Sequence, residues 1–315
     1  MAIITLTTDF GIKDHFAGTV KGALLSEINE AEVVDISHNI SPFSILEAAY
    51  VIQNAYKSFP NGSIHIIGVD SEISEENKHI VVQLNDHYFI CANNGIMSMI
   101  CSEINPQKIV EINIHDKIVS SFPVLDVFVQ VACFIARGGN LTVIGKEIQT
   151  FKKMIEIQPK INEAQNQIIG GVVYIDNYGN VISNISEKMF QEVGKGRRFK
   201  ASARRYSFTK IFTKYNEVAG DSEHDSKQYD GSKLAIFNAA GYLEIAIYRS
   251  NLDTVGGAAT LLGLGYRDPI TIDLLCGELN IARRGLERKF REFYQCTPWE
   301  MLCQLRVARA KQLLS

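Results

Sequence analysis

Three aspartates stand where strands run out: Asp9 in Thr7-Thr8-Asp9-Phe10-Gly11, Asp35 in Val34-Asp35-Ile36-Ser37-His38, and Asp70 in Gly68-Val69-Asp70. In a doubly wound sheet, ligands collect at the carboxyl ends of the strands. An ionised carboxylate accepts two hydrogen bonds at once, which suits the vicinal hydroxyls of a ribose. Taken singly, each aspartate reads as a turn or helix cap; three in one stretch of alternating elements point to a site. Asp9-Phe10-Gly11 is also a kinase tripeptide, but no Gly-rich loop or catalytic loop goes with it. Nor does the chain carry a G-x-G-x-x-G or Walker sequence to cradle a pyrophosphate. A second cluster, Asp176-Asn177-Tyr178-Gly179-Asn180, reads two ways. It is either a hairpin turn, which Asn and Gly favour, or part of a functional site.

The elements that must position these residues follow from periodicity. Residues 2–8 are β-branched and apolar, and Phe16, Val20, Leu24 and Ile28 recur at helical spacing behind a possible cap at Asp14. Val33–Ile36 and Ser63–Val69 read as strands, with a helix over 44–57 between them. Ile80–Leu84 and Tyr88–Ala92 flank Asn85-Asp86, a hairpin signal. A helix over 95–103, a strand over Lys108–Ile112 and a helix over Val124–Arg137 complete the half. Strands alternating with helices predict a largely parallel sheet covered on both faces. A linker is expected over 138–168, and beyond it the helices vanish. Gly171–Ile175, Val181–Ile185, Arg198–Phe208, Leu234–Asn238 and Leu243–Tyr248 read as short strands, with a polar loop over Asn216–Gly231.

Composition bounds the classes of function. At 315 residues the chain exceeds the usual single core, so two domains are expected. A net charge of −3 gives the whole chain no electrostatic case for nucleic acid or an acidic membrane. No window approaches the length of a membrane span. The opening Met-Ala-Ile-Ile-Thr-Leu reads as a strand without the basic region of a signal peptide, so a cytoplasmic location is expected. The six cysteines lie mostly in apolar runs without a C-x-x-C pair, and are read as reduced core residues. No metal site is expected.

The order of these pieces resembles the S-adenosylmethionine hydroxide adenosyltransferases, relatives of the fluorinating and chlorinating enzymes that use the same substrate. The stretches that carry the resemblance are Leu6-Thr7-Thr8-Asp9-Phe10-Gly11, Val34-Asp35-Ile36-Ser37-His38, Phe59–His65, Gly68-Val69-Asp70 and Asn93-Asn94-Gly95. Ile175–Ile185 and Gly241-Tyr242-Leu243-Glu244-Ile245-Ala246 continue it, so that it spans residues 3 to 270. It implies an α/β fold with a Rossmann-like N-terminal domain over 1–150, binding an adenosyl ligand, and a β-barrel domain over 168–271. It also implies a homotrimer with sites between subunits. By position, Asp9 would hold the ribose hydroxyls, while Asp176, Tyr178 and Asn180 would come from a neighbour, with Tyr178 stacking and the other two holding the methionine end. The implied reaction splits S-adenosylmethionine into adenosine and methionine by water attack at the ribose 5′ carbon, with S-adenosylmethionine as substrate and no further cofactor.

The family positions water with an Asp, an Arg and a His. Asp70 matches the Asp, but Asn77 stands at the Arg position and Pro123 at the His position. Proline offers neither a base nor an N–H donor. Asp70 as a lone base, a substitute among Glu72, Glu75 and Lys78, and binding without turnover all remain open here.

Residues 272–315 change character, with eight Arg or Lys against five Asp or Glu. Leu274–Arg291 reads helix, tight turn, helix, and resembles one helix-turn-helix of AraC-type regulators; Cys296–Leu314 matches the helix that follows it. The resemblance would place Arg283, Arg284, Arg288 and Lys289 towards DNA. A non-catalytic adenosyl sensor with a DNA-reading tail is therefore the alternative to a hydrolase. The preferred reading is a fused helical appendage, with DNA not the expected partner.

Overall fold

A computed structural model of the chain describes residues 2–28, 30–102, 104–114, 120–154, 158–203, 206–219, 229, 231–249, 276, 282–294 and 296–303. It divides into two compact units, Met1–Glu156 and Ile157–Ser315.

In the first unit, β1 (Ile3–Thr8) lies between β2 (Glu32–Ser37) and β3 (Ile64–Gly68), parallel to both. The hairpin of β4 (His79–Leu84) and β5 (His87–Ala92) is inserted so that β5 pairs parallel with β3. Strand β6 (Lys108–Ile112) runs antiparallel to β4, and β7 (Gly145–Glu147) antiparallel to β6. The sheet order is thus β2-β1-β3-β5-β4-β6-β7, and it is mixed rather than largely parallel. The hairpin causes the difference: its turn residues Asn85 and Asp86 hold φ of 50° and 60°. Such left-handed pairs match the twist of a two-residue hairpin and reverse the chain at once.

Both faces of the sheet are covered. Ile4, Leu6, Ile64, Ile66, Val81 and Ile90 pack with Val20 and Leu24 of α1 (Phe16–Glu27) and with Val131 and Ile135 of α4 (Val129–Ala136). On the other face Ile80, Val82, Phe89 and Cys91 meet Ile52 of α2 (Ile45–Ala55) and Met97 of α3 (Ile96–Cys101). Alternate residues of one strand feed opposite layers, as the twofold strand period requires. A single π-helical turn, Val124–Phe128, leads into α4. Helix α1 starts one residue after His15, without a side-chain cap, so Asp14 does not cap it. The expected linker starts too early, because β7 completes the sheet edge within it.

The second unit carries a five-stranded sheet, ordered β10 (Val172–Ile175), β11 (Val181–Ser186), β16 (Tyr242–Ile247), β15 (Lys233–Phe237) and β14 (Ile211–Phe212). It ends in β10 and β14 and does not close among the described residues. Two small hairpins accompany it, β8 (Lys160–Ile161) with β9 (Ile168–Ile169), and β12 (Ala201–Ala203) with β13 (Tyr206–Phe208). The stretch read as one strand over 198–208 is therefore a reversal. Helices do not vanish: α5 (Glu187–Gly194) starts at Ser186, whose side chain accepts the Met189 N–H. A serine cap of this kind satisfies an otherwise unpaired donor of the first turn.

In the tail, α6 (Arg283–Tyr294) buries Leu286 and Phe290, and residues 298–303 are helical. Of the helix-turn-helix expected over Leu274–Arg291, residues 274–275 and 277–281 lie outside the described residues, as do 304–315 and most of 216–231 beyond Ala219. No described helix is long and apolar enough to cross a membrane. No disulfide joins the six cysteines, and Cys91, Cys101 and Cys133 are buried.

Candidate functional site

Strand β1 delivers Asp9 one residue beyond its end. Its Oδ2 accepts the Phe43 backbone N–H at 2.9 Å. Burial pushes the Asp9 carboxyl above its ordinary range, N–H groups of Phe43, Asp9 and Asp70 oppose this, and the Asp70 charge adds to the rise. The loop that supplies Phe43 is tied to β1: Gly11 N–H donates to the His38 carbonyl at 2.7 Å, and Ile40 N–H to that of Thr8 at 3.4 Å. Phe43 itself holds φ 62° and is 72% exposed. Nothing in local sequence marks it; only the Asp9 contact, 34 residues away, singles it out.

Asp70 lies two residues beyond β3, so β1 and β3, paired in register, bring the two aspartates together. Asp70 adopts φ 46°, and Asn94 Nδ2 donates to the carbonyls of both Val69 and Asp70 at 3.1 Å. Gly68 lets the neighbours close in, since a Cβ there would stand 3.0 Å from Val124 Cγ2 and 3.1 Å from Thr8 Cγ2. Phe10, Phe16 and Phe122 form an edge-to-tilted aromatic cluster nearby, with centroids 5.4–5.9 Å apart.

Asp35 is not a strand-end ligand. It lies inside β2, opposite Leu6, and pairs with Lys21 and His38. Burial raises its carboxyl, but Lys21 and His38 outweigh that and hold it below the ordinary range. His38 is buried, with Nδ1 2.8 Å from Thr8 Oγ1 and Nε2 3.0 Å from Asp35 Oδ1 in a close approach rather than an aligned bond. This network props the end of β1 from beneath.

Asn77 and Pro123 take on structural roles. Asn77 closes a turn with Ser74, and its Oδ1 accepts Lys152 Nζ at 3.0 Å. Pro123 is buried at the start of the π turn with φ −56°. Close to Asp70, His79 is buried edge-on to Phe128, with Nε2 2.9 Å from the Ser71 carbonyl.

In the second unit, residues 176–180 form a tight turn held by side chains. Asp176 Oδ1 accepts the N–H groups of Tyr178 and Asn180 at 2.9 and 2.8 Å, and its Oδ2 accepts Asn180 Nδ2 at 2.9 Å. Asn180 Oδ1 takes the Ile247 N–H at 3.1 Å, and Gly179 turns the chain with φ 80°. The Asp176 and Asn180 side chains thus hold a turn, and Tyr178 is left 63% exposed at its tip. Glu244, overlooked in the sequence, is 3% exposed within β16. Burial raises its carboxyl, Tyr215 and Asn238 oppose the rise, and the Asp176 charge adds to it. Tyr215 Oη donates to its Oε1 at 2.9 Å. The available signal was an acid in an apolar strand, Leu243-Glu244-Ile245-Ala246.

In the tail, Arg283, Arg284, Arg288 and Arg291 are exposed on α6, and Arg283 Nε meets Glu287 at 3.1 Å. The Lys289 side chain lies outside the described residues. Among the described residues no His, Cys, Asp and Glu cluster is arranged to hold a metal ion.

These features sit on a frame shared with known proteins. Residues 4–145 match the SAM hydroxide adenosyltransferase N-terminal domain and residues 170–271 the C-terminal domain. The (R)-S-adenosyl-L-methionine hydrolase of Methanocaldococcus jannaschii is 28% identical over 281 residues, covering 86% of this chain and 95% of that protein. An uncharacterized conserved protein from Thermotoga maritima has a crystal structure similar to this one, with TM-score 0.68 and 26% identity over 79% of this chain and 94% of that one. A 54-residue stretch, 17% of the chain, is 39% identical to part of the HTH-type transcriptional regulator GbdR of Pseudomonas aeruginosa, and spans 15% of that protein. With both domains matched across most of its length, the chain belongs to the SAM hydroxide adenosyltransferase family.

Proposed function

We propose that this protein hydrolyses S-adenosylmethionine to adenosine and methionine. The observation that carries this reading is the pair of carboxylates, Asp9 and Asp70, at the ends of adjacent parallel strands and within electrostatic reach of each other. Asp9 takes the ribose hydroxyls, and Asp70 receives a proton from water. The water oxygen bonds to the ribose 5′ carbon as the carbon–sulfur bond breaks, and sulfur leaves with the electron pair as methionine. The sulfonium is already a good leaving group, so the chain needs to supply orientation and a dry pocket more than acid catalysis.

In this reading residues 1–150 form a Rossmann-like adenosyl-binding domain, 168–271 a barrel-type domain, and 272–315 a fused helical appendage. Phe43 and Tyr178 are exposed rings available to stack on the ligand, while Asp176 and Asn180 serve by holding Tyr178 in place. A cytoplasmic homotrimer, with S-adenosylmethionine as substrate and no added cofactor, completes it. Incubation of the purified chain with S-adenosylmethionine, followed by chromatography, should yield adenosine and methionine in equal amounts. Tight binding with neither product would leave a ligand sensor instead.

A further inference from the structure

The charge balance of the whole chain conceals a division. Residues 157–315 carry 22 Lys or Arg against 17 Asp or Glu, whereas residues 1–156 carry 10 against 18. Within the basic half, the stretch 195–214 holds eight Lys or Arg and no acid. A block of like charge on this scale is the electrostatic footprint of a polyanion surface.

The fold turns this block outward. Phe199 packs edge-on against Phe190 of α5, which also meets Phe237 of β15, with centroids 5.0 and 5.5 Å apart. From that anchor β12 and β13 pair Ala201 with Phe208, Ser202 with Ser207 and Ala203 with Tyr206, and Arg204-Arg205 stand between them in the sequence. Alternation puts Ala201, Ala203, Tyr206 and Phe208 on one half-buried face. The other face shows the hydroxyls of Ser202 and Ser207, continued by exposed Lys200 and Thr209. Lys195, Arg197 and Arg198 before the ribbon, and Lys210 and Lys214 after it, are exposed as well. Among the described residues none of these cations forms an ion pair. Arg197 donates to the carbonyls of Gln165 and Gly194 at 3.1 Å and to that of Val193, which leaves its charge uncancelled. Glu217 accepts the Thr213 N–H and hydroxyl, and feels Lys210 and Lys214 only at longer range.

We propose that the β12–β13 ribbon and its flanks are a docking surface for duplex nucleic acid, gripping phosphates without reading bases. Arg, Lys, Ser and Thr donors are those that meet phosphate oxygens in such complexes. A duplex carries one negative charge per about 1.7 Å of its axis, so a surface that senses charge alone favours it over sparser polyanions. An anionic membrane is the poorer fit, because no large apolar side chain described between 195 and 214 stands exposed for insertion. Nothing in this surface depends on the hydrolysis proposed above, and it is separate in sequence from the arginines of α6.

The test uses the full chain and fluorescein-labelled duplex DNA of two unrelated sequences, followed by anisotropy at several salt concentrations. Wild type should bind both sequences within about threefold of each other, in the micromolar range at low salt, with affinity falling steeply as salt rises. The combined variant Arg198→Gln, Lys200→Gln, Lys210→Gln, Lys214→Gln should bind at least about tenfold more weakly, with the salt slope flattened by roughly one for each phosphate contact removed. The charge-keeping set Arg198→Lys, Lys200→Arg, Lys210→Arg, Lys214→Arg should bind as wild type does. Arg283→Gln combined with Arg284→Gln, Arg288→Gln and Arg291→Gln in α6 should leave affinity within about threefold, since those charges lie outside the proposed surface. Undiminished binding by the first variant overturns the proposal, as does loss of binding in the folded charge-keeping set. Loss in the α6 variant alone moves the contact to the tail and overturns it too. Wild type that binds phosphatidylserine vesicles and neither duplex likewise overturns it.

Discussion

Phe43 offers its backbone N–H to the Asp9 carboxylate at 2.9 Å while standing in the left-handed region at φ 62°. That conformation costs a residue with a Cβ about 1–2 kcal/mol. The carboxylate offsets part of that cost by accepting the N–H, and an exposed aromatic residue is thereby anchored through its backbone at Asp9. Phe43→Gly should leave stability within about 1 kcal/mol of wild type, since glycine tolerates this φ. It should nevertheless weaken adenosine binding measurably by calorimetry. Equal affinity would remove the ring from the site.

Asp9→Ala should weaken binding of adenosine by about 1.5–3 kcal/mol, the range for hydrogen bonds to a charged group. Calorimetric titration checks this, and unchanged affinity would place the ribose elsewhere.

Asp70→Asn keeps the shape of the side chain and removes the proton acceptor. Adenosine release should disappear while ligand affinity stays largely intact. Turnover at the wild-type rate would move the base to another residue, with Glu72 or Glu75 the first to test.

The 176–180 turn separates support from contact. Asn180→Ala removes a buried side chain that answers both Asp176 and the Ile247 N–H, and should cost about 1–3 kcal/mol in urea unfolding. Tyr178→Ala, at an exposed tip, should change stability little and ligand affinity more. If the two variants lose stability equally, Tyr178 belongs to the packing of the second unit.

His65 and His87 supply a pH prediction away from the site. His65 Nε2 lies 3.1 Å from His87 Nδ1, and Nδ1 of His65 lies 2.7 Å from Thr5 Oγ1. Burial, then the His87 charge, lowers His65 from 6.5 to about 3, and burial also lowers His87. A depressed histidine stays neutral in the folded chain while the unfolded chain takes up a proton below 6.5. Stability should therefore be full above that pH and fall as pH drops towards 3, by up to about 1.4 kcal/mol per pH unit for His65. Urea midpoints at pH 7, 6 and 5 for wild type and His65→Gln test this. An identical slope in the two proteins would rule the histidine out.

What could be read from the residues was what local chemistry determines. Asn85-Asp86 announced a tight hairpin because few pairs tolerate two left-handed residues, and Asp9 announced itself by closing an apolar strand. Asp35 misled because its position in β2 depends on pairing with β1, and its charge on a lysine in α1. The edge strand β7 was lost in a polar stretch because an edge needs only one covered face and is short here. Phe43 and Glu244 were illegible for a common reason: their contacts rest on partners tens of residues away, which no spacing rule encodes. For Asp176 and Asn180, the turn was legible because Asn and Gly favour it, and their side chains hold it.

The distribution of sulfur divides the chain into silent and addressable halves. Burial pushes the Cys91, Cys101 and Cys133 thiols upward, so in the first unit almost no thiolate forms at neutral pH. Only thiolate attacks alkylating reagents. Cys276, Cys296 and Cys303 are less enclosed and all belong to the tail. A maleimide fluorophore should therefore attach beyond residue 275 while leaving the proposed adenosyl site chemically untouched, so that the appendage can be followed in an otherwise native protein without engineering a single cysteine.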